Sequence, residues 1–292
     1  MAKTYNDLYM DARRALRQAG IEAYNLEARL LTAYASDRSA EKLLQSLGLY
    51  AMDTTEIRLQ QLLARRIAGE PVAYIIGEWE FYGLNFLVTR DVLIPRSDTE
   101  TLVDTALAIL RHREQEVRVL DLCCGSGCIG CALAYELPGS HITMLDISEA
   151  AVRVSRENVL RNNLSPRVTC MAMDVLQPPP PLLGTFDAIT CNPPYIAAWE
   201  IPTLDASVRD YEPLSALDGG ADGYDFYNSV IPGWKHLLRD NGAFILEVGE
   251  GQAQHVAGLL SQNGFIGVQS IPDTSGTPRV VFGRKDTEHI MR

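Results

Sequence analysis

Long hydrophobic runs and clustered histidines are both missing from this 292-residue chain. No apolar run approaches the ~18 residues that a membrane-spanning helix needs, so no membrane partner is expected. The first twenty residues carry Asp7 and Asp11 among their basic residues, unlike a signal or transit peptide, and a cytoplasmic location is predicted. The five histidines are scattered without the spacing of metal ligands, so no metal is predicted.

Cysteines occur in only one part of the chain, and positively charged residues are fewer than negatively charged ones. All six cysteines lie between Cys123 and Cys191, and without a secretory context we expect reduced thiols rather than disulfides. The net charge of −11 disfavours unspecific binding to phosphate backbones, and no direct nucleic-acid partner is predicted. Residues 1–75 contain 10 Lys or Arg and 9 Asp or Glu, so the acidity belongs to the rest of the chain. An acidic body of this kind is compatible with a cationic cofactor.

Three regions of the chain differ in their pattern. Residues 1–75 carry apolar positions such as Leu8, Ala12 and Leu16 at near-helical spacing, which predicts a small helical bundle. Residues 76–98 are rich in aromatic and β-branched side chains, which fits a hairpin or linker. Residues 99–292 alternate short apolar runs with amphipathic segments, which predicts a larger α/β domain.

Predicted strands and helices alternate through this larger region. Strands are predicted at Val117–Leu122, Ile142–Leu145, Val168–Met171, Phe186–Cys191, Ala243–Val248 and Val280–Phe282. Helices are predicted at Thr99–Arg111, Cys128–Glu136, Glu149–Asn162, Tyr224–Leu238 and Gln252–Leu260. Such a pattern is typical of a sheet covered on both faces, which is a doubly wound α/β fold. The long connection Ala197–Gly223 is placed to overhang a site.

The segment Asn192-Pro193-Pro194-Tyr195 directly follows one of these strands and is unusually rich in hydrogen-bond acceptors. Two prolines remove two backbone N–H donors, while the asparagine side chain adds an acceptor oxygen. Tyr195 offers an aromatic face to a flat group. This combination suits a planar amino nitrogen, although proline and asparagine are also common residues of a stiff turn.

A glycine-rich turn follows the first predicted strand of the same region. Asp121 ends that strand, and Gly125, Gly127 and Gly130 satisfy the G-x-G-x-x-G spacing of dinucleotide-binding folds. A dinucleotide would place a doubly negative pyrophosphate near Asp121, whereas S-adenosylmethionine brings a net positive charge. Asp121 therefore favours S-adenosylmethionine as the cofactor.

Further cofactor residues are predicted at the ends of the next strands. Asp146 suits two ribose hydroxyls in either kind of fold. Asp174 is predicted to accept from an adenine amino group, or to be a turn residue at the strand end, and we place its neighbour Val175 in the same site. The turn supplies the remaining predicted cofactor residues: Cys123, Cys124, Gly125, Ser126 and Gly127.

The two motifs together resemble class I methyltransferases that modify amino nitrogens. Over essentially the whole chain, the sequence resembles the peptide chain release factor glutamine methyltransferase family. The segments that carry this resemblance include Phe81-Tyr82-Gly83, Leu93 to Glu100, Tyr211-Glu212-Pro213, Gly219-Gly220, Glu247-Val248-Gly249, Gln252 and Arg279-Val280-Val281. Ser97, Cys124 and Thr277-Pro278 depart from the usual family residues, which puts in doubt only the loop packing around the cofactor.

The resemblance implies a fold and a reaction. It implies a mostly parallel, seven-stranded class I methyltransferase sheet with a small all-helical N-terminal domain that contacts the substrate protein. The implied substrate is the glutamine of the Gly-Gly-Gln motif in class 1 peptide chain release factors, methylated on its side-chain nitrogen (N5). Asn192, Pro193, Pro194 and Tyr195 are then the predicted catalytic residues, and Asn192 is also assigned to the cofactor site.

Two other classes of protein stay open from the sequence. A nucleic-acid methyltransferase acting on adenine or guanine amino groups would use the same four-residue acceptor segment. Against it stands the absence of a basic domain interleaved with aromatic residues. A nucleotide-binding or scaffolding protein without catalysis would bind the cofactor and transfer no methyl group.

Overall fold

The computed structural model describes residues 2–112 and 116–286, which divide into two units. Unit 1 contains the residues up to Glu78 together with Asp205–Tyr211, a short piece of the long connection predicted to overhang the site. Unit 2 contains Trp79–Leu204 and the chain from Glu212 onward. The domain boundaries predicted at residues 75 and 98 stay predictions.

Unit 1 is helical, as expected for the N-terminal region. Its helices are α1 (Tyr5–Gln18), α2 (Tyr24–Ala35), α3 (Ala40–Gln45), α4 (Asp53–Ile67), α5 (Val72–Ile76) and, in the returning segment, α9 (Ala206–Arg209). Helix α1 begins with a capping box, because the Thr4 hydroxyl accepts from the Asp7 N–H and the Asp7 carboxylate accepts from the Thr4 N–H. Leu8, Ala12 and Leu16 form its buried stripe.

Unit 2 contains a hairpin, a large sheet and the helices that cover it. The hairpin is β1 (Glu78–Phe81) with β2 (Leu84–Leu87), although the first residue of β1 falls in unit 1. The sheet strands are β3 (Val117–Leu122), β4 (Ser140–Asp146), β5 (Val168–Ala172), β6 (Phe186–Cys191), β7 (Leu238–Glu247), β8 (Phe265–Pro272) and β9 (Pro278–Lys285). The covering helices are α6 (Glu100–Leu110), α7 (Cys128–Glu136), α8 (Glu149–Arg161), α10 (Asp225–Trp234) and α11 (Ala253–Gln262).

The large sheet has the strand order β5-β4-β3-β6-β7-β9-β8. Strands β3 to β7 are paired in parallel, while β9 pairs antiparallel with both β7 and β8. Neighbouring residues of one strand pack into opposite cores: Val119 lies in the cluster under α6, α7 and α8, and Leu120 in the cluster under α10 and α11. The predicted doubly wound, mostly parallel, seven-stranded fold is confirmed.

Two features of the sheet differ from the strand-by-strand prediction. Strand β8 was not predicted because it lies at the edge, where only Phe265 is buried and no apolar run exists to mark it. Strand β7 begins at Leu238, five residues earlier than predicted, and α10 ends at Trp234 with a 3-10 turn, Lys235–Leu237, before the strand. The sequence does not indicate this early start, because strands rarely contain the residue types of Asp240, Asn241 and Gly242.

Candidate active site

The carboxyl ends of β3 and β6 lie side by side in the sheet. Leu122, the last residue of β3, is level with Cys191, the last residue of β6. The strand order reverses here, because β4 and β5 continue on one side of β3 while β7 lies on the far side of β6. Ligands of open α/β sheets bind outside the carboxyl ends of the strands at such a reversal. Both sequence motifs therefore meet at one edge of the sheet.

Asp121 lies beneath the glycine-rich turn. Its side chain is fully buried, and its Oδ1 and Oδ2 accept from the Thr190 hydroxyl at 2.8 Å and the Gly130 N–H at 3.2 Å. Burial raises the pKa of Asp121 to about 7, against the effect of these two hydrogen bonds. Asp121 therefore supports the turn through the start of α7, and its action on a cofactor stays a prediction.

The turn itself, residues 123–127, is a compact left-handed bend. Its residues with positive φ are Cys123 (57°), Gly125 (52°) and Gly127 (79°). Glycine adopts such angles without a side-chain penalty, whereas a cysteine there is unusual. The Gly127 N–H donates to the Cys124 carbonyl at 2.7 Å, and the carbonyl of the buried Ser126 accepts from the Asn158 amide at 2.9 Å. The predicted cofactor residues of this segment thus form one fixed backbone surface.

Asp146, at the end of β4, ties the neighbouring strand to this turn. Its Oδ2 accepts from the Gly125 N–H at 2.8 Å and its Oδ1 from the Ser148 N–H at 2.9 Å. Burial raises the pKa of Asp146, and these two hydrogen bonds oppose that shift. A carboxylate oxygen has a second lone pair, so Asp146 keeps the capacity to accept from hydroxyl groups of a ligand.

Asp174 and Val175 follow β5 and are held by local contacts. The Asp174 carboxylate accepts from the Leu176 N–H at 2.9 Å and from the Gln177 side chain at 3.3 Å, which makes it the turn residue of the alternative interpretation. The Val175 side chain is buried in the core, and its carbonyl accepts from the Trp234 indole at 2.8 Å. A role of either residue in adenine binding stays a prediction.

The Asn192 side chain and the Pro193 carbonyl provide the acceptors at the end of β6. The Asn192 Nδ2 donates to the Thr99 hydroxyl at 3.3 Å. Within residues 2–112 and 116–286, no donor reaches the Asn192 Oδ1 or the Pro193 carbonyl oxygen. Two oxygens of adjacent residues are therefore available to the two hydrogens of one amino group.

Gln252 fixes the far end of this acceptor segment. Its Nε2 donates to the Tyr195 carbonyl at 2.9 Å, and its Oε1 accepts from the Gly249 N–H at 2.9 Å. The Tyr195 carbonyl thus already accepts one hydrogen bond, unlike the carbonyl of Pro193. Thr99 and Gln252 had no assigned chemical role in the sequence. Their only sequence signal was their place in the family-like segments.

Glycines let neighbouring loops approach the acceptor segment closely. A Cβ added at Gly219 would lie 2.7 Å from the Tyr195 Cα, and one at Gly223 would lie 2.4 Å from the Tyr195 carbonyl oxygen. Both distances are far shorter than ordinary contacts, so neither position accepts a larger residue without backbone movement. Pro194 and Tyr195 are thus held by close packing against these two loops as well as by the hydrogen bond from Gln252.

Glu247 closes the site from the neighbouring strand. It is the last residue of β7, its side chain is buried, and its Oε1 accepts from the Tyr195 hydroxyl at 3.4 Å. Burial raises the pKa of Glu247 to about 7, while the charge of Arg279 and the hydrogen bond from the Tyr195 hydroxyl lower it. Burial also raises the pKa of Tyr195, so its phenol stays protonated at neutral pH.

Two other kinds of site are absent from the described part of the chain. No group of three or more His, Cys, Asp and Glu side chains in that part is arranged to hold a metal ion. No helix there is long and apolar enough to cross a membrane.

Family models assign the class of protein. Residues 99–204 match the family described as methyltransferase small domain, and residues 7–77 match the PrmC N-terminal domain. Among solved structures, the fold is similar to the hMettl16 catalytic domain in complex with MAT2A 3′UTR hairpin 6, with a TM-score of 0.57 and 17% identity over 82% of this chain and 84% of that chain. That likeness concerns the fold alone. The chain is a methyltransferase with a class I fold, a class whose members generally use S-adenosylmethionine.

Curated relatives narrow this class further. The chain is 40% identical to a release factor glutamine methyltransferase of Moorella thermoacetica, over 95% of this chain and 97% of that protein. It is 39% identical to a protein of the same name from Bradyrhizobium diazoefficiens, over 92% of this chain and 91% of that protein. The chain therefore belongs to the release factor glutamine methyltransferase family, which confirms the resemblance found in the sequence.

Proposed function

We propose that this chain transfers a methyl group from S-adenosylmethionine to the side-chain amide nitrogen of the glutamine in the Gly-Gly-Gln motif of class 1 peptide chain release factors. One observation carries the proposal: the Asn192 Oδ1 and the Pro193 carbonyl, at the carboxyl end of β6, accept no hydrogen bond from the described chain. They directly follow β6, the strand that pairs with β3, and β3 leads into the glycine-rich turn. The names of the relatives supply the substrate class.

The charges around the turn fit S-adenosylmethionine better than a dinucleotide. Asp121, beneath the turn, would repel a pyrophosphate and favours a ligand with a net positive charge. Asp146 would suit the ribose hydroxyls of either ligand. Asp146 would hold the ribose hydroxyls, and the backbone of residues 123–127 would pack against the amino acid part. When bound there, S-adenosylmethionine supplies an electrophilic methyl group on a positively charged sulfur.

Orientation of the substrate amide is the main task of the protein. An amide nitrogen is a weak nucleophile because its lone pair is delocalised into the carbonyl group. Asn192 Oδ1 and the Pro193 carbonyl would accept its two hydrogens and so fix the plane of the amide. Pro194 and the Tyr195 ring would pack against the flat group. A nitrogen held in line at ~3–3.5 Å from the methyl carbon gains most of the rate enhancement that positioning offers.

Charge stabilisation follows from the same two oxygens. Positive charge builds on the nitrogen during transfer, and oxygens already aimed at the N–H groups stabilise it without reorganisation. Tyr195 is unsuited to act as a base, because burial raises the pKa of its phenol. An N-alkylated amide cation is acidic enough to lose its proton to water or a nearby acceptor, so no strong base is needed.

The partner is proposed to contact the helical N-terminal unit as well as the active site. A single glutamine side chain offers too little area for a specific protein–protein interaction. The net charge of −11 argues against nucleic acid as the methyl acceptor. A cytoplasmic location, where release factors work, is part of the same proposal.

The test is a transfer assay with methyl-labelled S-adenosylmethionine and alternative acceptors. We expect label on a class 1 release factor, no label on its variant with the motif glutamine replaced by alanine, and no label on bulk RNA or DNA. Mass spectrometry of the labelled peptide should place one methyl group on the glutamine. Label on nucleic acid alone, or cofactor binding without transfer to any acceptor, would contradict the proposal.

A further inference from the structure

The side chain of Gln252 makes a second hydrogen bond beside the one to the Tyr195 carbonyl. Gln252 lies directly before α11 and is buried. Its Nε2 donates to the Tyr195 carbonyl at 2.9 Å and to the Gly223 carbonyl at 3.3 Å. Tyr195 ends the acceptor segment, and Gly223 ends the long connection that follows it. One NH2 group therefore forms a clamp between the two ends of this connection.

Only one orientation of the Gln252 carboxamide satisfies its neighbours. Its Oε1 accepts from the Gly249 N–H at 2.9 Å, and the Tyr227 hydroxyl lies 3.4 Å from the same oxygen. The reversed amide would turn its NH2 group toward the Gly249 N–H and its oxygen toward two carbonyl oxygens. Because the side chain is buried, water would not replace the lost hydrogen bonds. The position therefore requires a neutral group that donates twice and also accepts.

The same glutamine holds the backbone against which the Tyr195 ring packs. A Cβ added at Gly249 would lie 3.1 Å from the Tyr195 Cδ2 and 2.9 Å from the Gln252 Oε1. A Cβ added at Gly223 would lie 2.8 Å from the Gln252 Nε2. The carboxamide thus fills the space that these two glycines leave. Gln252 consequently holds the Tyr195 carbonyl directly and the Tyr195 ring through Gly249.

Backbone hydrogen bonds extend the clamp into the long connection. Ile196 forms a parallel bridge with Asp218. The Ile196 N–H donates to the Leu217 carbonyl at 3.0 Å, and the Ile196 carbonyl accepts from the Gly219 N–H at 2.8 Å. The two arms of the connection are therefore paired next to Tyr195, and Gln252 ties the chain on both sides of this pair.

We propose that Gln252 is a positioning residue for methyl transfer, which holds the acceptor segment and the end of the long connection in the geometry that the substrate amide requires. This inference rests on the proposed function, because it takes the acceptor segment as the place where the amide binds. Within the described residues, Gln252 makes no hydrogen bond to Asn192 or Pro193. It acts on the reaction through the position of Tyr195.

The main experiment measures kcat with a class 1 release factor, and cofactor affinity by calorimetry, in the full-length chain and its variants. Gln252→Met keeps an unbranched side chain of similar length but removes the hydrogen bonds of the clamp. We expect kcat to fall ~10–100-fold, because a shift of about 1 Å at a positioned group is that costly. Affinity for S-adenosylmethionine should stay within about threefold of wild type, since sites without shared partners act nearly independently. Unchanged kcat would overturn the inference, and so would equal losses of kcat and affinity.

Gln252→Glu gives a readout that general disruption of the fold would not give. An ionised carboxylate has no proton for either carbonyl oxygen, whereas a protonated carboxyl group has one O–H to donate. Measured below the unfolding transition, the ratio of kcat in this variant to kcat in wild type should rise ~10-fold as the pH falls from about 8.5 to about 6. The same ratio for Gln252→Met should not change with pH. A ratio independent of pH in Gln252→Glu would contradict the role of the two donors.

Gln254→Glu is the matched control. It places the same charge at the start of the same helix, but the side chain of Gln254 is exposed. Its kcat should stay within about twofold of wild type at each pH. A loss equal to that of Gln252→Glu would assign the effect to charge at the helix start and would overturn the inference.

Hydrogen exchange tests the clamp without turnover. In Gln252→Met, the amides of Ile196 and Gly219, which are hydrogen-bonded between the two arms of the connection, should exchange ~10-fold faster than in wild type. The amides of the glycine-rich turn, residues 123–127, should keep their wild-type rates. Unchanged exchange at Ile196 and Gly219 would refute the clamp. Faster exchange there in a protein that methylates no release factor would refute only the proposed function.

Discussion

The turn after β3 and the segment after β6 end on the same edge of the sheet but have opposite hydrogen-bonding character. The turn and the helix that follows it are held by backbone donors, since Gly125 of the turn and Gly130 of α7 give their N–H groups to the carboxylates of Asp146 and Asp121. The segment after β6 lacks two such donors because of Pro193 and Pro194, and it presents oxygens. Under the proposed function, charge would select the cofactor at the end of β3, while neutral acceptors would orient the substrate at the end of β6.

Removing the neutral acceptor should have the largest effect. Asn192→Ala deletes one of the two oxygens proposed to stabilise charge in the transition state, and we expect kcat to fall ~10²–10³-fold. Cofactor affinity, measured by calorimetry, should change far less than kcat although Asn192 is also predicted to lie in the cofactor site, because the turn after β3 is untouched. Asn263→Ala makes the same chemical change at a helix end, where the side chain donates to the Leu259 carbonyl and accepts from the Lys235 ammonium, and it should keep normal turnover. Near-normal kcat in Asn192→Ala would end the proposed role.

Removing the carboxylate of Asp146, which ends β4 and holds the turn after β3, should have a smaller and different effect. Asp146→Ala leaves the N–H groups of Gly125 and Ser148 unpaired and removes the acceptors predicted for ribose, so cofactor binding should weaken by ~1–3 kcal/mol. Calorimetric titration with S-adenosylmethionine measures this loss. The loss of affinity is compared with that in Asp174→Ala, which removes a carboxylate held by local turn contacts after the next strand. Unchanged affinity in Asp146→Ala would contradict the assignment.

The fold and both motifs were predictable because their determinants are local. Short apolar runs marked the parallel strands, and two prolines or closely spaced glycines have the same backbone consequence wherever they occur. Edge strand β8 could not be predicted in this way, because only its Phe265 is buried and its sequence therefore carries no pattern of buried apolar residues.

The support of the acceptor segment could not be predicted in the same way. Thr99 lies 93 residues before Asn192, and Gln252 lies 57 residues after Tyr195. Only the folded sheet brings these side chains together. The buried state of Glu247, which raises its pKa, likewise depends on its place at the end of β7 between other elements. Sequence therefore predicts which groups react, and the structure shows what holds them.

The smallest expected effect sharpens the role of charge beneath the turn. Burial raises the pKa of Asp121 to about 7, so its carboxyl group is partly protonated in the folded protein at neutral pH. A cationic ligand favours the ionised form and lowers that pKa, so binding should release a fraction of a proton and weaken as the pH falls below about 7. Calorimetry in two buffers of different ionisation enthalpy measures the proton release, and Asp121→Asn should abolish it. Affinity that rises toward acidic pH would mean that the ligand at this turn is not a cation, and the contrast between the two strand ends would then fail.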